Sequence, residues 1–177
     1  LGMDQRKVNV LARELGPKLG FWKPIAVHHH MLMGLGQPPK GAQTTDRALE
    51  MKMSKSNPDS AIFMTDTKEE VDRKINKAYC PKGIIEENPI LEYCKYILFE
   101  KIKEFKIIRP AKFGGNLSFK TYEELEKTFK NKKLHPMDLK TSTAKYINGL
   151  LEPVRDHFKT GKPAKLLKQV RSFETTR

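Results

Sequence analysis

Two lysines three residues apart stand in a short polar run, Lys52-Met53-Ser54-Lys55-Ser56. Lysine carries a compact, strongly hydrated charge on a flexible stem, so such a pair suits phosphates that appear only transiently. Ser54 and Ser56 add hydroxyl donors and let the backbone approach an anion closely. The plain alternative for so short a run is a solvated basic loop. A second group, Gln5-Arg6-Lys7, falls in the first turn of a helical pattern, where backbone N–H groups also point outward. It makes an electropositive end for a polar or anionic ligand, or simply a solvated helix start. Three adjacent histidines, His28-His29-His30, suggest metal ligation. Neighbours on a strand alternate faces, however, so only His28 and His30 could converge, and no metal site is expected.

These groups need elements to hold them. Met3, Val8, Val10, Leu11 and Leu15 recur at helical spacing up to the stop at Gly16-Pro17, predicting a helix with one buried face. Ile25-Ala26-Val27 leads into His28 to Met33 and ends at Gly34, the pattern of a buried strand. Helix, short loop and apolar strand together read as part of an α/β unit. Residues 36–51 form a long polar connection with Pro38-Pro39 and a short helical turn at Asp46-Arg47-Ala48-Leu49, slack that frees the lysine loop to move. After it, Ala61 to Met64 is a short extended run. Thr67 with Glu70 is a capping box for a helix through about Ala78. Asn88-Pro89 opens a helix with Ile90, Leu91, Cys94, Ile97 and Leu98 on one side. Alternation around Lys106 to Arg109 and Leu117 to Phe119, broken by Phe113-Gly114-Gly115, predicts a hairpin. Thr121 with Glu124 is a second capping box, for a helix to about Lys130. Pro136 opens a long helix with Pro153 inside it, and Pro163 begins a short last one. The fold class expected is α/β plus α, dividing near Ser60 into residues 1–60 and a mostly helical module, 61–177.

The 34 Lys and Arg residues against 21 Asp and Glu leave a net charge of +13. That balance attracts polyanions and favours nucleic acid over acidic lipid as a partner. Between Lys101 and Lys140, eleven Lys and Arg face five Asp and Glu, a net +6, which is the expected phosphate-facing surface. The two cysteines, Cys80 and Cys94, are too few for a disulfide scaffold, and a reducing, cytoplasmic setting is expected. No apolar run reaches the roughly 18 residues of a membrane span, and no signal peptide opens the chain. Leu1-Gly2-Met3 runs directly into a helical pattern, so a preceding segment is expected.

Lys52 to Ser56 reads as the KMSKS signature of class I aminoacyl-tRNA synthetases. Gly2-Met3-Asp4-Gln5-Arg6-Lys7, with Leu11-Ala12-Arg13-Glu14, resembles the block that closes the tyrosine pocket in archaeal and eukaryotic tyrosyl-tRNA synthetases. Lys77-Ala78-Tyr79-Cys80-Pro81, Arg109-Pro110 with Phe113-Gly114-Gly115, and His135-Pro136-Met137-Asp138-Leu139-Lys140 resemble later blocks, in the family's order over about residues 1–158. The resemblance implies the C-terminal end of a Rossmann-type nucleotide-binding domain followed by a helical anticodon-binding domain. It implies activation of L-tyrosine with ATP, as the Mg2+ complex, and transfer to tRNA(Tyr) in protein biosynthesis. Lys52 and Lys55 then act on the departing pyrophosphate, within an ATP-binding loop of Lys52, Met53, Ser54, Lys55 and Ser56. Gln5 contacts tyrosine, and Arg6 and Lys7 meet the tRNA acceptor end. Phe113 and Asp138 meet the anticodon, with His135, Met137 and Cys80 in the same blocks. Phe113 as hairpin core and Asp138 as a carboxylate favoured by the helix dipole remain open readings.

Two departures stand out. Many members carry serine where this chain has Lys55, and the 36–51 link is longer than usual. The family's HIGH-type motif does not occur in these 177 residues, so the N-terminal half of the catalytic domain is an expected partner, and a homodimer a possible assembly. A non-catalytic RNA-binding module and the sister tryptophanyl enzyme are the competing readings, the latter opposed by the Gln5 and His135 blocks.

Overall fold

The Thr67 hydroxyl accepts a hydrogen bond from the Glu70 N–H at 3.2 Å, and the Glu70 carboxylate accepts one from the Thr67 N–H at 2.7 Å. This reciprocal cap starts the helix Lys68–Lys77 where the sequence places it. Such local chemistry sets most boundaries in the computed structural model, which describes residues 2–39, 51–54 and 57–173. The helices in chain order are α1 (Arg6–Leu15), α2 (Lys68–Lys77), α3 (Pro89–Tyr93), α4 (Tyr122–Lys130), α5 (Pro136–His157) and α6 (Gly161–Arg171). The strands are β1 (Phe105–Ile107) and β2 (Leu117–Phe119), an antiparallel pair with Phe105 opposite Phe119 and Ile107 opposite Leu117. The chain forms two compact units, Leu1–Leu32 and Met33–Arg177. Mixed helix with a small hairpin is the observed architecture.

In the larger unit one core runs through every element from α2 to α5. Val71 and Ile75 of α2 meet Leu139, Ile147 and Leu151 of α5, and Phe105, Ile107, Leu125 and Phe129 join them. Phe105 lies 4.9 Å from the Tyr146 ring centre and 5.9 Å from that of Phe99. Aromatic groups at these separations attract beyond their burial. Leu35, 2% exposed, belongs to this same core, so the segment before the lysine loop is anchored on the helical unit.

Several expectations need correction. α1 begins as a 3-10 turn over Met3–Gln5, and none of its residues is buried; Val8 and Leu11 are exposed. The run from Ile25 to Met33 is not a strand. It makes only single bridges, Gly2 with His29 in parallel and Met33 with Lys52 antiparallel, while Ile25 and Val27 stand 84% and 75% exposed. A strand requires a neighbour along its length, and none is present among the described residues. Ala61 to Met64 is likewise irregular. The helix opened by Asn88-Pro89 changes to a π turn over Cys94–Leu98. At α4 the Thr121 hydroxyl caps the Glu124 N–H, but the Glu124 carboxylate takes the N–H of Lys120, so the second box is half formed. α5 continues past Pro153 to His157, and α6 begins at Gly161, two residues before Pro163. The turn expected at Asp46 to Leu49 lies outside the described residues.

Candidate nucleic-acid interface

Pro136 sits in the first turn of α5, where its missing N–H costs nothing, and His135 supplies the cap. The His135 Nδ1 accepts from the Met137 N–H at 3.1 Å, which leaves Nε2 as the protonated nitrogen of the neutral ring. This helix start forms one wall of a cavity of about 500 Å³, with Met137 and Asp138 facing it. The hairpin turn supplies Phe113 and Arg109 on another side, and Lys82, Lys132 and Lys133 complete the lining. Four cations therefore face one carboxylate.

Phe113 is 58% exposed and lies in a 3-10 turn, Ala111–Phe113, which rules out hairpin core. The Lys112 ammonium lies 4.9 Å from its ring centre. Gly114 follows at φ 96°, and a Cβ there would stand 3.1 Å from Arg109 Nη2. Glycine thus permits both the left-handed backbone and the close approach. Arg109 is the buried centre of the turn, its side chain 8% exposed. Its Nε donates to the Gly115 carbonyl at 2.7 Å and its Nη1 to the Lys133 carbonyl at 3.3 Å; Nη1 also lies 3.7 Å from Asp138 Oδ2. Asp138 is both an early-helix carboxylate and an ion-paired one. Lys132 holds a left-handed φ of 60°, strained for a residue with a side chain, at the rim of this cavity.

Cys80 lies outside that lining. Its thiol is buried 3.5 Å from Asn88 Nδ2, and burial pushes its pKa up. Cys94 is core beside Thr143, its thiol pushed up to about 12 by complete burial.

The lysine loop is tied down at its ends. Gly34 N–H donates to the Met51 carbonyl at 2.6 Å, and the Met33 N–H donates to the Glu92 carboxylate at 2.9 Å. Met53 packs partly buried against the core. The Ser60 hydroxyl accepts from the Ser54 N–H at 2.9 Å and donates to the Asn57 carbonyl at 2.7 Å. Asp59 pairs with both terminal nitrogens of Arg73, at 2.7 and 2.9 Å, and its carboxyl is pushed down to about 2, chiefly by that hydrogen bonding. Lys55 and Ser56 lie outside the described residues. In the smaller unit, Gln5 is exposed with Nε2 3.1 Å from Asp4 Oδ2, and Arg6 and Lys7 are exposed at the start of α1.

Of the five residues that the resemblance assigns to anticodon contact, Phe113, His135, Met137 and Asp138 share one cavity lining and Cys80 does not, while Arg109, Lys82, Lys132 and Lys133 were not singled out from the sequence as site residues. The net +6 segment contains all of these but Lys82, and was the available signal.

The family model for class I tRNA synthetases (W and Y) matches residues 1–152. The chain belongs to this family. It is 48% identical to the tyrosine–tRNA ligase of Thermococcus sibiricus, over 96% of this chain and 49% of that protein. The crystal structure of tyrosyl-tRNA synthetase complexed with L-tyrosine from Pyrococcus horikoshii superposes with a TM-score of 0.82 at 42% identity, covering 95% of this chain and 50% of that one. The chain therefore spans about half the length of these relatives. A tryptophanyl-tRNA synthetase from Giardia lamblia, at 24% identity and TM-score 0.58, shares the fold.

Proposed function

We propose that these residues serve in a tyrosine–tRNA ligase, carrying its lysine loop and its anticodon-facing module. The observation that carries this reading is the basic cavity in which an exposed aromatic face, Phe113, stands beside an ion-paired carboxylate, Asp138. An aromatic face stacks an unpaired base, and a carboxylate accepts from adjacent donors such as guanine N1–H and its 2-amino group. His135 Nε2 and Met137 flank the same base, and Lys82, Lys132 and Lys133 face phosphates.

Lys52 and Lys55 act on ATP, delivered as its Mg2+ complex. As the tyrosine carboxylate attacks the α-phosphate, charge grows on the departing pyrophosphate, and ammonium groups that engage it mainly then lower the barrier. Met53, Ser54 and Ser56 belong to the same ATP-binding loop. Gln5 holds tyrosine by an amide that both donates and accepts, and Arg6 and Lys7 meet the acceptor end of tRNA(Tyr). In this reading residues 1–60 end a Rossmann-type domain and 61–177 form the anticodon module, working in the cytoplasm. An apolar groove of about 500 Å³ in the smaller unit, lined by Val8, Leu11, Leu15, Phe21 and Trp22, supports a further partner. The remainder of the nucleotide-binding domain is proposed as its occupant, and a homodimer as the assembly.

Aminoacylation of tRNA by the complete gene product, with tyrosine against tryptophan, tests the reading. Tyrosine-dependent charging is expected; charging with tryptophan alone, or none, would overturn it. The 177 residues by themselves carry no HIGH-type motif and are expected to give no tyrosine-dependent pyrophosphate exchange.

A further inference from the structure

Arg109 is nearly buried, yet its guanidinium touches three separate segments: the hairpin turn at the Gly115 carbonyl, the approach to α5 at the Lys133 carbonyl, and Asp138 in the first turn of α5. Its own N–H donates to Asn116 Oδ1 at 3.1 Å, which fixes the backbone from which the side chain leaves. A planar fork reaches several acceptors at fixed angles, whereas an ammonium is a point charge. Donors engaged inside the protein are not offered to phosphate, so Arg109 differs in kind from the rim lysines. We propose that Arg109 is the positioning residue for base selectivity in this cavity: it fixes the Asp138 carboxylate relative to the Phe113 turn, so that a base stacked on Phe113 must present two adjacent donors to Asp138. The inference rests on the anticodon reading and names the residue that holds its geometry.

Among the bases, guanine offers N1–H and a 2-amino group side by side, and inosine lacks that amino group. The test titrates the full chain with a fluorescent RNA hairpin carrying one unpaired guanine in its loop, against the same hairpin with inosine. The parent chain is expected to prefer guanine. Arg109→Lys keeps the charge and is expected to cut that preference about tenfold, as is Asp138→Asn, with an unchanged dependence of affinity on salt. Combining the two should lose no more than the larger single effect, because both act through one contact. Should Arg109→Lys unfold at the assay temperature, Arg109→Gln, shorter and uncharged, removes the Nη1 contacts to Lys133 and Asp138 and is expected to show the same loss of guanine preference. Full guanine preference in the folded Arg109 variant, or additive effects of the two substitutions, would overturn this proposal alone. A parent chain that binds neither hairpin, or binds both equally, would overturn the anticodon reading and this proposal with it.

Discussion

At the scale of single residues, exposure separates side chains that serve the fold from those that serve a ligand. Phe113 is mostly exposed and contributes little to packing, so Phe113→Ala should change stability by under about 0.5 kcal/mol. The same substitution should weaken binding of a loop-bearing RNA hairpin by roughly 1–3 kcal/mol, the worth of one stacked base. Titration of both proteins with one hairpin, beside their urea unfolding curves, checks the pair of expectations. Loss of stability without loss of binding would return Phe113 to the core. Asp59 makes a different kind of claim. Arg73 holds its carboxyl down at about 2, so its pairing is complete above the ordinary carboxylate range of about 4 and is lost only as pH falls through about 2. A carboxyl 13C titration should place its midpoint near that lower value; an ordinary midpoint would mean that Arg73 does not hold it in solution.

At the scale of elements, what was legible was what is local. Thr67, Asn88-Pro89 and Pro136 each announce a helix start because cap donor and acceptor lie within four residues. The run from Ile25 to Met33 was misread because periodicity reports the residues of a strand and not the neighbour it pairs with. The cavity was half legible. Phe113 and Asp138 stand in recognisable blocks, but the contact that ties Arg109 to Lys133 spans 24 residues of sequence and no pattern encodes it. The same holds for Lys74, an unremarkable lysine of α2 that is 3% exposed. Its ammonium lies 2.6 Å from Asp66 Oδ2, 2.9 Å from the Ala61 carbonyl and 4.5 Å from the Phe63 ring centre. This buried pair fixes the turn after the lysine loop onto α2. Asp66→Asn strands the Lys74 charge and should cost about 3–5 kcal/mol, whereas adding Lys74→Met should restore much of that loss. Urea unfolding of the single and double variants checks it, and equal loss in both would point to packing rather than charge.

At the scale of the molecule, the net charge of +13 predicts attraction to any polyanion, so affinity alone says little about a specific interface. Position within the charge does. Lys82, Lys132 and Lys133 ring the cavity that holds Phe113 and Asp138. Lys162, Lys165 and Lys168 lie on α6, which contributes no buried residue and no residue to that lining. Each phosphate neutralised on a single strand adds about 0.7 to the slope of log affinity against log salt. Replacing the three cavity lysines by alanine should therefore make the slope shallower by about 2 for a hairpin seated on Phe113. Replacing the three α6 lysines removes the same formal charge and should lower affinity with a much smaller change of slope, because they act through the long-range field rather than at contacts. Titrations across a salt series with the two triple variants separate these cases. Equal slopes in both would mean that the RNA samples the whole basic surface, and the cavity would then be one part of a general polyanion face rather than the place where a loop is held.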